Sequence, residues 1–237
     1  MDPVIVRIRQ ELDSLADEKT RITSQRFFKE EISCYGIKTP VVTALAKKYW
    51  KEIKHWEKRE IFALCEELYR SGKIEESFVV STWAYALADR FDKKDLAIFQ
   101  RWIDTYITNW ASCDGFCNHA MGEFFERYPE CMEELHTWAR SENRWMRRAA
   151  AVCLIVPAKH GKFLPEAIGI AKLLLNDSDD MVQKGYGWLL KEASRKHTRE
   201  VFDFVVQNRK VMPRTALRYA IELMPKDLKV EAMKKEG

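Results

Sequence analysis

Helical periodicity runs nearly from end to end of the chain, with apolar residues returning every three or four positions in segments separated by short polar stops. The stops read as turns and helix ends: YGIKTP at 35–40, SGK at 71–73, RYPE at 127–130 and NDSDD at 176–180. Between them the spacing predicts helices over 3–17, 21–34, 40–52, 57–71, 75–91, 93–108, 110–127, 130–140, 143–156, 163–175, 178–194, 198–207 and 212–223. The expectation is an all-α protein. No linker or low-complexity tract interrupts the series, so one domain over 1–237 is expected.

Three of these segments repeat one another. RWMRRAAAVCLI (144–155), DMVQKGYGWLLKEA (180–193) and PRTALRYAIELM (213–224) each set a cation ahead of a helix of small and apolar residues. A period in the mid-thirties with two helices per unit is the mark of an α-solenoid, in which each pair buries its apolar stripe against the next. HEAT-like repeats are therefore expected, the second helix of each unit lining a concave surface. Residues recurring once per period then fall in register, and Asp114, Arg148, Lys184 and Arg218 do so at intervals of 34, 36 and 34. With Arg144, Arg147 and Arg214 they predict a groove whose C-terminal half is cationic, suited to the spaced phosphates of a duplex.

Composition adjusts this picture only slightly. Nine glycines and seven prolines in 237 residues disfavour a turn-rich sheet protein. A formal charge of +4, from 40 basic and 36 acidic residues, does not by itself announce a nucleic-acid partner, so where the charge lies matters more. The charged N-terminus, MDPVIVRIRQELDSLADEK, has no apolar targeting core, and no apolar run reaches membrane-spanning length. A soluble cytoplasmic protein without a membrane partner is expected. The six cysteines form no regular framework and are expected as reduced, mostly buried thiols. Cys113, Cys117 and His119 cluster, yet no CxxC pair completes a four-ligand set, so no metal is expected. Gly-rich phosphate loops and nucleophilic Ser or Cys motifs are absent, which removes nucleotide hydrolysis and acyl transfer.

The candidate chemistry centres on Asp114, the one acid in a basic register. Asp114-Gly115 is a common turn dipeptide and Ser112 a plausible helix cap, so a purely structural role is open. A carboxylate facing a polyanion, with Trp110 one turn before it, instead suggests a residue that stabilises positive charge. Trp188 lies one turn after Lys184 beside Gly185 and Gly187, in the groove or in the core. Arg148 suits a phosphate, the small residues after it leaving it to reach outward, or else an ion pair on an adjacent helix. In YGIKTP, Gly36 fits a helix C-cap, Thr39 an N-cap and Pro40 the first helical position, while Lys38 and the amides after Thr39 could also receive a phosphate.

Taken together, YGIKTP, NWASCD, RWMRRAA and VQKGYGWLLKE resemble the AlkD-like family of bacterial DNA alkylation repair glycosylases, over almost the whole chain. The resemblance implies a HEAT-like solenoid cradling double-stranded DNA with alkylated bases, acting at the bacterial nucleoid without cofactor or obligate protein partner. It assigns the active site to Asp114, Trp110, Trp188 and Arg148 and the reaction to hydrolysis of the N-glycosidic bond of N3- or N7-alkylated purines, the base remaining in the stack. Asp114 would stabilise an oxocarbenium-like transition state, the indoles would press on the sugar, and Arg148 would grip a phosphate. Lys184 and Arg218 extend the phosphate contacts by register. The chain departs from the pattern at Lys38, where relatives often have a neutral amide, and at Ala111 and Cys113 beside the acid. Two alternatives stand beside this reading: a non-catalytic HEAT-like protein that binds unusual DNA structures, and a protein-interaction scaffold.

Overall fold

The structure, a computed structural model, describes residues 2–234. Among these residues it is helical throughout, with a single isolated bridge between Ser33 and Lys73 and no strand. The helices group into two compact units that divide between Phe116 and Cys117.

The N-terminal unit holds α1 (Pro3–Leu15), α2 (Glu18–Gln25), α3 (Thr39–Ile53), α4 (Lys58–Tyr69), α5 (Ile74–Ala86), α6 (Asp95–Tyr106) and α7 (Trp110–Phe116). Its first helix shows how locally the sequence dictates each element. Asp2 accepts a hydrogen bond from the Val4 amide at 2.8 Å, Pro3 supplies a pre-set first φ, and Val4, Ile5, Ile8 and Leu12 make one buried stripe. Helices α3, α5 and α7 pack in succession. The Trp83 indole ties α5 to α3 by donating to the Ala46 carbonyl at 2.9 Å, and Phe62, Phe99, Trp102 and Phe116 interlock edge to face in the core.

One expected element is cut short. The spacing predicts a helix over 21–34, but α2 ends at Gln25 and buries none of its residues. Its sequence, EKTRITSQ, has no apolar stripe to dock. The chain beyond is held by side-chain bonds instead: Gln25 donates to the Glu30 carbonyl at 2.8 Å and accepts from the Ile32 amide at 3.1 Å, while the Ser33 carbonyl takes the Ile74 amide. Such local bonding competes directly with the helical ladder.

The C-terminal unit holds α8 (Gly122–Arg127), α9 (Glu133–Trp138), α10 (Arg144–Val152), α11 (Ile155–Lys159), α12 (Leu164–Leu173), α13 (Asp180–Ala193), α14 (Thr198–Asn208), α15 (Arg214–Ala220) and α16 (Lys226–Met233). The three segments that repeat in sequence become α10, α13 and α15, and they pack side by side as successive repeats. The expected helix 143–156 divides into α10 and α11. Helix α16 was not expected at all, because only Ala232 of it is buried and it carries no apolar stripe to detect.

Helices α13 and α15 approach closely at one glycine. A Cβ on Gly187 would lie 2.8 Å from the Tyr219 Cβ and 2.9 Å from the Ala216 carbonyl oxygen, whereas one on Gly185 would meet Arg148 at ordinary contact distances of 3.4 and 3.5 Å. Gly187→Ala is therefore expected to destabilise the protein by about 1–3 kcal/mol through overpacking against backbone. Gly185→Ala is expected to be neutral or to gain up to about 1 kcal/mol from helix propensity. Thermal melts of the two variants check this, and equal shifts would refute it.

Candidate nucleic-acid interface and catalytic residues

In the N-terminal unit, α7 carries Trp110 and Asp114 one turn apart, both half-buried. The helix starts where Asn109 accepts from the Ser112 amide at 2.9 Å, so the cap is Asn109 and not Ser112. Asp114-Gly115 is no turn: both residues lie inside the helix, where a Cβ on Gly115 would sit 3.3 Å from the Ser81 hydroxyl on α5. A π-helical turn, Cys117–Met121, follows α7 directly, a feature frequent at functional sites and without a sequence signal here.

Trp110 has neighbours that its sequence surroundings do not announce. Its ring stacks on Phe28 at a centroid distance of 5.2 Å and an interplanar angle of 19°, and its N–H donates to the Phe27 carbonyl at 3.3 Å. These residues, with Ile37, Phe78 and Ala111, line a cleft of about 250 Å³. Phe27 itself is 71 % exposed, a large apolar side chain held at the rim. Phe27 is 83 positions from Trp110 in sequence; an FF dipeptide between basic residues is the available hint.

The YGIKTP segment is built differently from its expected cap pattern. Lys38, not Thr39, occupies the cap position of α3, and no side chain caps that terminus; Lys38 and Thr39 are both exposed. Gly36 ends no helix. Its φ of +85° turns successive amides inward, so that the Glu75 carboxylate, 3 % exposed, accepts from the amides of Tyr35 at 3.0 Å, Gly36 at 2.8 Å and Ile37 at 3.0 Å. Beside it Glu76 takes the Arg9 guanidinium and the Tyr35 hydroxyl, whose proton is held far above its ordinary range by burial and by that carboxylate.

In the C-terminal unit the cations are less available than their register suggests. Arg144 pairs with Asp179 at 3.1 Å and lies 4.4 Å over the Trp145 ring. Arg147 pairs with Asp177 at 2.6 Å. Arg148, expected to reach outward, is 5 % exposed, packs against Gly185 and donates to the Met181 carbonyl in the first turn of α13. Lys184 shares its charge with Asp180 one turn away at 3.3 Å, and Trp188 follows on the same face of α13, half-buried. Arg218 is exposed on α15, and so is Arg214, whose guanidinium lies 3.3 Å from the Met233 sulfur. The aspartates of NDSDD, read from sequence only as a stop, are the partners that neutralise Arg144, Arg147 and Lys184.

Among the described residues no cluster of three or more His, Cys, Asp or Glu could hold a metal ion, none of the six cysteines forms a disulfide, and no helix is long and apolar enough to cross a membrane.

Comparison with known proteins bears on the fold and the family. A family model described as DNA alkylation repair enzyme matches residues 8–224. Among solved structures, a predicted DNA alkylation repair enzyme from Enterococcus faecalis is 20 % identical with a TM-score of 0.79, over 89 % of this chain and 97 % of the other. AlkD2 from Streptococcus mutans is 20 % identical with a TM-score of 0.62, over 91 % and 98 %. The protein smu.31 from Streptococcus mutans UA159 is 21 % identical with a TM-score of 0.55, over 84 % and 99 %. No match is found among curated proteins. At these identities the solved structures establish a shared fold, and the family match extends over most of the sequence: the chain belongs to the DNA alkylation repair enzyme family.

Proposed function

We propose that this protein is a DNA glycosylase that removes N3- or N7-alkylated purines from duplex DNA. The observation that carries this reading is Asp114, presented with Trp110 on one face of the capped helix α7 in a chain of this family. Alkylation makes the base cationic and a good leaving group. As the C1′–N bond breaks, its electron pair neutralises the base and positive charge appears on the deoxyribose. Water then adds to C1′ and gives up a proton. Asp114 stabilises the developing charge and orders that water. The Trp110 indole, on the same helix, offers its electron-rich face to that charge, an attraction that grows towards the transition state, and the family resemblance is what proposes the same role for Trp188.

Phosphate contacts are proposed for the exposed Lys38, Arg214 and Arg218, for Thr39 at the start of α3, and for Lys184 and Arg144, which exchange a carboxylate partner for a phosphate. Arg148 takes a phosphate by turning from the Met181 carbonyl, so its contribution includes the cost of that bond.

Purified protein is expected to release 7-methylguanine or 3-methyladenine from alkylated duplex DNA in chelator, without added cofactor. Duplex affinity is expected to fall with salt at a slope in log–log form of about −0.9 per phosphate contact made. Salt-sensitive binding without base release would favour the non-catalytic DNA-binding reading, and weak, salt-insensitive binding would refute both.

A further inference from the structure

Helix α7 is held by bonds that the proposed chemistry does not use. Its Ser112 hydroxyl, on a residue 3 % exposed, lies 2.7 Å from the hydroxyl of Ser77 on α5, itself 5 % exposed. Ser77 also lies 2.7 Å from the Ile74 carbonyl, to which it donates. A hydroxyl has one proton, so Ser77 can only accept from Ser112, and the bond across the two helices has a fixed direction. Three residues on, Gly115 meets Ser81, which is one turn along α5 from Ser77 and donates to the Ser77 carbonyl at 2.9 Å. The two helices are thus joined by a directed hydrogen bond and, one turn on, leave room for little beyond a glycine, a Cβ there sitting 3.3 Å from the Ser81 hydroxyl.

Geometry links this seam to the acid. At about 100° per residue, a residue two positions from Ser112 points roughly 200° away around the helix. Trp110 and Asp114 are the two such residues on α7. Turning Ser112 inward onto Ser77 sets both of them on the side of α7 opposite that bond, and rotation of α7 about its axis moves the Asp114 carboxylate sideways.

We infer that Ser112, acting through Ser77, is a positioning residue for Asp114: it sets the rotation of α7 and so the direction from which the carboxylate meets the sugar. The inference rests on the catalytic role proposed for Asp114. Ser112→Ala removes the donor and leaves Ser77 bonded to Ile74, so the buried hydroxyl that remains is still satisfied and the fold is expected to survive.

The test measures single-turnover base release and undamaged-duplex affinity for wild type, Ser112→Ala, Ser77→Ala and the double variant. Ile8→Val in the core of α1, of comparable stability cost, serves as control. Ser112→Ala is expected to slow release about tenfold to a hundredfold, as for a displaced catalytic group, with affinity within twofold. Ser77→Ala is expected to add nothing further to it, since both variants break one bond, while Ile8→Val keeps the full rate. Release by Ser112→Ala within twofold of wild type overturns the positioning role, and so does an equal loss in Ile8→Val. A wild type that releases no base instead overturns the glycosylase reading beneath it.

Discussion

Asp114→Asn is expected to reduce release of alkylated purines by about a hundredfold to a thousandfold, the range found when one preorganised electrostatic group is removed from a reacting centre. The substitution preserves shape and keeps a half-buried helix position, so it tests charge and little else. An amide dipole cannot offset a full positive charge on the sugar, and it holds a water less strongly than a carboxylate does. The sign of the binding change sharpens the test. A carboxylate facing phosphates opposes binding, so its neutralisation should leave duplex affinity unchanged or severalfold tighter, the opposite of what general damage to the fold produces. Single-turnover release and fluorescence anisotropy on the same alkylated duplex measure both quantities. Release at the wild-type rate would remove Asp114 from the mechanism, and a parallel loss of affinity would reassign it to binding or folding.

Much of this was legible in the sequence because it depends on neighbours in the chain. The apolar period of α1 and α3, the repeat shared by α10, α13 and α15, and the one-turn spacing of Trp110 and Asp114 follow from helical geometry alone. The corrections come where a distant residue decides. Arg148 and Lys184 look alike in the register, yet Arg148 is buried against Gly185 while Lys184 shares its charge with Asp180. The stretch 26–34 has helical spacing, but Gln25 and the carbonyl of Ser33 hold it in another conformation. Phe28 stacks on Trp110 because the chain folds back, and no local pattern encodes that contact. Asp114-Gly115 favours a turn by composition; packing against Ser81 favours the helix and prevails.

Gly36→Ala is expected to be among the most damaging single substitutions, costing about 3–5 kcal/mol of stability. Three effects add. An L-residue at a φ of +85° carries strain of about 1–3 kcal/mol. The new Cβ would sit 2.3 Å from the Asp17 carbonyl oxygen and 2.7 Å from the Arg21 amide nitrogen, both of them backbone, so the start of α2 must move. Any relaxation of residue 36 also pulls the amides of Tyr35, Gly36 and Ile37 off the buried Glu75 carboxylate, and an unsatisfied buried group costs about 1–3 kcal/mol. Gly72→Ala isolates the first effect, because Gly72 has a similar φ of +70° and nothing within 4 Å of its would-be Cβ. For a chain of this size each kcal/mol lowers the melting temperature by about 2–4 °C, so Gly36→Ala should melt roughly 10 °C below wild type and Gly72→Ala only a few degrees below. If the two variants melted together, strain alone would account for Gly36, and the close packing of α2 with the Glu75 clamp would contribute nothing to stability.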